Sequence, residues 1–326
     1  MLEQPQLSVV IPVFNEESGL AALFARLYPA LDALGLRYEV IFVNDGSRDR
    51  SAALLREQWQ LRPDVTRVVL FNANYGQHPA IVAGFEHCRG ERVVTLDADL
   101  QNPPEEIPRL LAAMNAGHDY VGGVRRTRED SWFRRIASKA MNRLRERVTR
   151  IHMTDQGCML RAYSREIVAA VAASREVSTF IPALAYTFAS NPTEIDVAHA
   201  ERAAGKSHYP LYKLIRLNFD LITGFSLVPL QLFSMFGMLV AALSLAAYVG
   251  VIGYRLYFAL YFAEWRDAAT VFWDRDILAF FLIGMLLFGL GLIGEYVGRI
   301  YHQVRARPRF MIRAVLERPA DEPKER

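Results

Sequence analysis

Near its start the chain alternates short runs of almost continuous apolar, β-branched residues with segments whose leucines recur every three to four positions. Leu7-Ser8-Val9-Val10-Ile11-Pro12-Val13 is the first such run, of the kind buried on both faces of a parallel sheet. Phe14-Asn15-Glu16-Glu17 breaks it, and a helical pattern with Leu20, Leu23, Leu27 and Leu31 follows. The unit then repeats: a strand over 38–43, the turn Asn44-Asp45-Gly46-Ser47, a helix over about 49–59, a strand over 66–71, a helix over about 78–88 and a strand over 92–96. Alternation of this kind predicts a doubly wound α/β sheet. Ligands of such sheets sit beyond the carboxyl ends of the strands, where strand order switches. Asn15-Glu16, 44–47, 72–78 and Asp97-Ala98-Asp99 all fall on that rim; singly each reads as turn or helix-start chemistry, and together they read as a nucleotide site.

Farther along the pattern changes. Residues 221–254 and 277–294 carry no charged side chain, and both stretches reach the roughly 18–20 residues needed to cross a hydrocarbon core. They predict two transmembrane helices. Ahead of them Leu211, Leu214, Ile215, Leu217 and Leu221 share one helical face, predicting a segment lying in the membrane interface. The expected organisation is an α/β domain carrying the nucleotide site over 1–203, a juxtamembrane segment over 204–224, a two-helix membrane region over 225–300 and a basic tail over 301–326. Met1-Leu2-Glu3-Gln4-Pro5 has neither a basic n-region nor an apolar h-region, so no cleavable signal is expected. Arg299, Arg305, Arg307, Arg309 and Arg313 after the second span, and Lys206, Lys213 and Arg216 before the first, put both termini and the large domain in the cytoplasm.

Composition adds little to this and removes several alternatives. A net charge of +3 is too small to argue nucleic-acid binding, and the basic residues cluster beside the membrane spans, where they would meet anionic lipid headgroups. The two cysteines, Cys88 and Cys158, predict neither a disulfide nor a thiolate metal site. No G-x-G-x-x-G follows the first strand and no G-x-x-x-x-G-K-[ST] occurs, which disfavours a dinucleotide oxidoreductase and a P-loop enzyme.

Chemistry concentrates in Thr95-Leu96-Asp97-Ala98-Asp99-Leu100-Gln101-Asn102-Pro103. In an extended chain positions i and i+2 point to one side, so Asp97 and Asp99 are expected to converge. Converging carboxylates, with the Gln101 amide oxygen available, suit a hard divalent cation, Mg²⁺ or Mn²⁺. The competing reading is a strand, an Asp-rich turn and a proline-started helix at Pro103-Pro104-Glu105-Glu106. Beyond it, Arg125, Arg126, Arg128, Arg134 and Arg135 form a basic run whose guanidinium forks suit phosphate oxygens. Thr154-Asp155-Gln156-Gly157-Cys158 makes a second acidic turn.

Taken together, Val10-Ile11-Pro12-Val13-Phe14-Asn15-Glu16, Val43-Asn44-Asp45-Gly46-Ser47, 97–103 and 154–158 resemble the family-2 glycosyltransferases of GT-A (Rossmann-like) fold. Within them they resemble the membrane-bound enzymes that make polyprenyl-phosphate sugars. Asn74-Tyr75-Gly76-Gln77-His78, 130–134, 157–163, 178–182 and 294–301 are most similar to the branch that handles 4-deoxy-4-formamido-L-arabinose.

The resemblance implies transfer of that sugar from a UDP donor to undecaprenyl phosphate at the bacterial inner membrane, for lipid A modification. A hexose is the alternative sugar, and a non-catalytic membrane adaptor the alternative class. It implies that Pro12, Asn15, Glu16, Asp45 and Asp97 surround the nucleotide, that Asp99 and Gln101 hold the metal, and that Asp155 stands where a base is placed in relatives. Arg126, Arg134 and Lys206 are the candidates for the acceptor phosphate. Asn74, Tyr75 and His78, on the 72–78 loop, are the candidates for choosing the donor sugar. The family commonly reads Gly-x-Ser-Lys-Tyr at the juxtamembrane loop; here His208 stands at the lysine position, with Lys206 as its possible substitute. Related enzymes assemble through their membrane helices, and Gly284, Gly289, Gly291 and Gly294 would permit a homo-oligomer.

Overall fold

The computed structural model describes residues 4–125, 151, 153–155, 157–174, 180–198, scattered helical positions between 228 and 257, 271–305 and 308–318. The chain divides into two compact units, Met1–Leu211 with Ala306–Arg326, and Tyr212–Arg305.

In the first unit the predicted alternation is realised as β1 (Leu7–Val13), α1 (Leu20–Asp32), β2 (Tyr38–Asn44), α2 (Ser51–Leu61), β3 (Thr66–Phe71), α3 (Gln77–His87), β4 (Arg92–Thr95), α4 (Ile107–Asn115), β5 (Tyr120–Arg125), β6 (Arg161–Ser164), α5 (Arg165–Ala173), α6 (Ile181–Phe188) and β7 (Pro192–Val197). The apolar runs are buried on both faces: β2 and β3 are buried throughout, and Leu20, Leu23, Leu27 and Leu31 of α1 are fully buried against the sheet. Such burial is what continuous β-branched runs between amphipathic helices produce.

The sheet has eight strands in the order β7-β5-β6-β4-β1-β2-β3-β8, where β8 is Ile312–Leu316. Its centre is parallel, β1 pairing with β2 on one side and β4 on the other. Strand order therefore switches between β1 and β4, and the rim at their carboxyl ends gathers 14–17, 44–47, 72–77 and 96–101. The sheet is mixed, however: β6 runs antiparallel to β4 and β5, and β8 antiparallel to β3. Both reversed strands enter after long excursions of the chain, so no helical crossover obliges them to be parallel. Pro12 lies beyond the last β1–β4 pair, Val10 with Thr95, where the ladder on that side no longer needs an N–H.

β8 corrects one expectation. Residues 312–316, assigned from the sequence to a basic tail, are a strand covering the edge of β3. Its end is tied down by Glu317, which pairs with Arg67 and, at 2.9 Å, with Arg89. Arg67 in turn meets buried Glu39 at 3.2 Å, and Glu39 accepts from Ser8 Oγ at 2.6 Å. This charged cluster lies at the opposite end of the strands from the acidic rim.

In the second unit, helix α7 (Val271–Val304) runs 34 residues and contains the whole uncharged stretch 277–294. Leu286, Leu287, Phe288, Leu290 and Ile300 on it are exposed, and Phe233 packs on Phe288 with ring centroids 5.5 Å apart. Among the described residues no helix is long and apolar enough to cross a membrane, where the sequence pattern predicts two. The interfacial segment 204–224, with Lys206 and His208, and the positions Arg126 and Arg134 lie outside the described residues.

Candidate active site

The strand leading to the acidic motif ends at Thr95, and Ala98-Asp99 form a turn. The alternation of an extended chain therefore does not set the aspartates, which corrects the basis of the expected convergence. Leu100 adopts a left-handed backbone, φ 59°, a conformation costing about 1–3 kcal/mol for a residue with a side chain. Across that kink the Gln101 N–H donates to Asp99 Oδ1 at 3.1 Å. The turn thus places Asp99 and Gln101 on one bend. Asp97 Oδ1 accepts from Gln77 Nε2 at 2.6 Å, joining the motif to the first residue of α3.

Asp45 is buried in the same rim, and its carboxylate accepts from Asn74 Nδ2 at 2.8 Å, Tyr75 N at 2.7 Å and Gly76 N at 2.8 Å. Burial pushes its pKa up, against the pull of the Tyr75 and Gly76 amides. Asp45, expected beside the nucleotide, is here the staple of the loop expected to read the sugar. The approach is close: a Cβ on Gly46, φ +66°, would lie 2.3 Å from the Ala73 carbonyl carbon. Asp45→Asn keeps the shape but must turn an N–H₂ toward donors. We expect it to raise the donor KM about tenfold, at roughly 1–2 kcal/mol for the mismatched hydrogen bonds, with kcat less affected; an unchanged donor KM counts against this role.

Asn15, φ 54°, accepts from Arg48 N at 2.9 Å, and its own N–H donates to Ser47 Oγ at 3.0 Å. Glu16 N donates to Ser51 Oγ at 2.9 Å. These bonds lock the loop after β1 onto the loop after β2, bringing Pro12, Asn15, Glu16 and Asp45 to one side of the switch point. His78, the second residue of α3, stands edge-on to Phe180 with centroids 5.3 Å apart. Burial depresses its pKa to about 4, so it is a neutral imidazole at neutral pH.

Asp155 is claimed by a residue that the sequence pattern left in the basic run. Arg125 Nε and Nη2 reach its two carboxylate oxygens at 2.6 and 2.8 Å. Burial pushes the Asp155 pKa up, but the Arg125 hydrogen bonds and charge, with the Arg125 and Gly157 amides, bring it below the ordinary carboxylate value. A Cβ on Gly157 would stand 2.6 Å from Arg125 Nη2, so the fork needs glycine there. Beneath it, fully buried Arg161 donates to the carbonyls of Asp155 at 2.6 Å and Cys158 at 2.8 Å. Thr95 Oγ1 donates to Met159 O at 2.6 Å, fastening this turn to the end of β4. Gln77 and Arg161 were given no role from the sequence, and Arg125 was read only as part of a basic run suited to phosphate; Gln77 and Arg125 act through partners 20 and 30 positions away, and Arg161 through the Asp155 and Cys158 carbonyls and the Tyr120 hydroxyl.

Among the described residues no three His, Cys, Asp or Glu side chains group into a metal cage. A magnesium-type ion needs less, since it is held through one or two carboxylates with substrate phosphates and water completing the shell. The hard oxygen donors of Asp99 and Gln101 on one bend fit that demand.

A sheet of this order, with acidic and amide side chains gathered on the rim where its strand order switches, is an open α/β sheet with its ligand site at that rim. The chain belongs to glycosyl transferase family 2, whose model matches residues 8–171. It is 49% identical over 319 residues to the undecaprenyl-phosphate 4-deoxy-4-formamido-L-arabinose transferase of Edwardsiella ictaluri, covering 98% of this chain and 96% of that one. The proteins of the same name from Aeromonas hydrophila and Klebsiella pneumoniae are each 48% identical, over 95% and 98% of this chain and 94% and 96% of theirs. Among solved structures, mannosyl-3-phosphoglycerate synthase from Rubrobacter xylanophilus aligns with 81% of this chain and 78% of its own at TM-score 0.49 and 14% identity, too distant to add to the family assignment.

Proposed function

We propose that this glycosyltransferase moves 4-deoxy-4-formamido-L-arabinose from UDP to undecaprenyl phosphate, at the cytoplasmic face of a bacterial inner membrane, as a step in lipid A modification. The observation that carries the reading is 48–49% identity, along nearly the whole chain, to relatives bearing that name. Transfer of a hexose instead is the second reading, supported by the many functions one fold accommodates.

In the proposed reaction the lipid phosphate displaces UDP at the anomeric carbon in one step, inverting it. One C–O bond forms to the phosphate oxygen as the bond to the β-phosphate of UDP breaks. A phosphate monoester is already anionic near neutral pH, so a strong base is not required. That agrees with Asp155 tied to Arg125: it acts by positioning the turn that faces the acceptor. Asp99 and Gln101 would hold Mg²⁺ or Mn²⁺, which supplies Lewis-acid stabilisation of the departing diphosphate. Pro12, Asn15, Glu16 and Asp97 would bound the nucleotide, with Asn74, Tyr75 and His78 toward the sugar. Arg126, Arg134 and Lys206 would meet the acceptor phosphate.

A polyprenyl chain keeps only its phosphate at the water interface, so an enzyme using it must hold its site at that surface. The apolar stretches 221–254 and 277–294 supply that anchoring in this reading. Purified protein in vesicles containing undecaprenyl phosphate is expected to release UDP and form lipid-linked sugar, and to do neither in vesicles lacking that lipid. Sugar transfer independent of the lipid overturns the acceptor assignment; no transfer with the lipid present overturns the enzyme assignment and favours the adaptor.

A further inference from the structure

The loop 72–76 is held from two directions, and only one of them belongs to the rim. On its inner side Asp45 accepts from Asn74, Tyr75 and Gly76. On its outer side stands the segment 309–312, which precedes β8. Phe310 stacks face to face on Phe71, centroids 4.9 Å apart and planes at 12°, and Phe71 meets the Tyr75 ring edge-on at 5.7 Å. The Asn72 N–H donates to Met311 O at 3.2 Å, and Tyr75 OH donates to Asn72 Oδ1 at 2.8 Å. The charge of Arg309 also acts on Glu86 of α3, the helix this loop begins. A register shift between Leu70 and Phe71 bends the β3–β8 ladder before it resumes at Phe71 with Ile312, and the aromatic stack packs on that bent corner.

We propose that Phe310 is a positioning residue for donor selection: through Phe71 it sets Tyr75, and with it the 72–76 loop, against the nucleotide sugar. The proposal rests on the reading that this loop touches the donor. Residues more than two hundred positions after the loop thereby take part in choosing the sugar.

The stack is one aromatic pair, worth a few-fold to about tenfold in an equilibrium. Full-length Phe310→Ala in vesicles with undecaprenyl phosphate is therefore expected to raise the KM for UDP-4-deoxy-4-formamido-L-arabinose about three- to tenfold. Its kcat should stay within about twofold, and its preference for that donor over UDP-glucose should narrow by a similar factor. Phe310→Leu, which keeps apolar bulk but not the flat face, serves where the alanine variant does not fold, with a smaller shift in the same direction. Val315→Ala weakens β8 where it pairs with Val69, away from the loop, and should lower the melting temperature without changing donor preference. Tyr75→Ala tests the underlying reading directly. If Tyr75→Ala narrows the preference while both Phe310 variants lower only the melting temperature, or if Val315→Ala narrows it as much as Phe310→Ala, the positioning role is overturned and the loop reading stands. If Tyr75→Ala leaves the preference intact, the loop reading itself fails and the role of Phe310 falls with it.

Discussion

Asp99→Ala is expected to lower transfer at least about a thousandfold in kcat, while the protein folds and binds membranes as before. The size follows from what is lost. Charge grows on the departing diphosphate as the glycosidic bond breaks, and preorganised electrostatic stabilisation of that charge contributes several kcal/mol to a barrier in which each 1.4 kcal/mol is tenfold. Asp99 is the carboxylate on the bend beside Gln101, and its Oδ1 also receives the Gln101 N–H. Losing that one part-buried turn hydrogen bond costs about 1 kcal/mol of stability, a few degrees of melting temperature at most. Kinetics measured beside a melting curve separate the two effects. A variant that transfers sugar at the parental rate contradicts the assignment of Asp99; one that loses activity only by unfolding leaves the metal site without support.

Asp155→Ala has the second largest expected effect, first on stability and through it on turnover. The Arg125–Asp155 pair is 19% and 12% exposed, and removing one partner of a buried pair strands the other charge at a cost of about 3–5 kcal/mol. For a chain of this length that is roughly 6–20 °C in melting temperature. The pH dependence has a definite sign. The folded-state pKa of Asp155 lies below its ordinary value, so the pair contributes in full above that ordinary value and loses its contribution as pH falls through the depressed one. The stability gap between the parent and Asp155→Asn should therefore be widest near neutral pH and narrow on acidification below about 4. A gap that widens in acid contradicts the ion pair. A pH–rate profile that keeps its shape in Asp155→Asn, at reduced amplitude, supports positioning over proton transfer; loss of its acidic limb supports a base.

The strands were legible because burial on two faces demands continuous β-branched runs, and β1 to β4 appear within a residue or two of where the pattern puts them. The rim was legible for the same reason: polar clusters at strand ends can only lie at the ends of the sheet. Geometry that depends on one residue's backbone was not. Leu100 at φ 59° turns the acidic motif, and nothing about a leucine announces it. Pairings across the sequence were equally hidden. Asp45 with Asn74 spans 29 positions and Arg125 with Asp155 spans 30, so residues that read singly as ligands turn out to hold loops. β8 was hidden further, since its pairing partner β3 lies on the other side of the apolar stretches in the sequence and its one arginine, Arg313, read as membrane-adjacent charge.

The central claim is the donor and acceptor pair, and one competition measurement addresses it. Purified full-length protein in vesicles with undecaprenyl phosphate and Mg²⁺ is offered UDP-4-deoxy-4-formamido-L-arabinose, UDP-glucose, UDP-N-acetylglucosamine and GDP-mannose together, and the lipid-linked products are identified by mass. Undecaprenyl phosphate carrying formamido-arabinose is the expected dominant product. A dominant hexose product would contradict the claim.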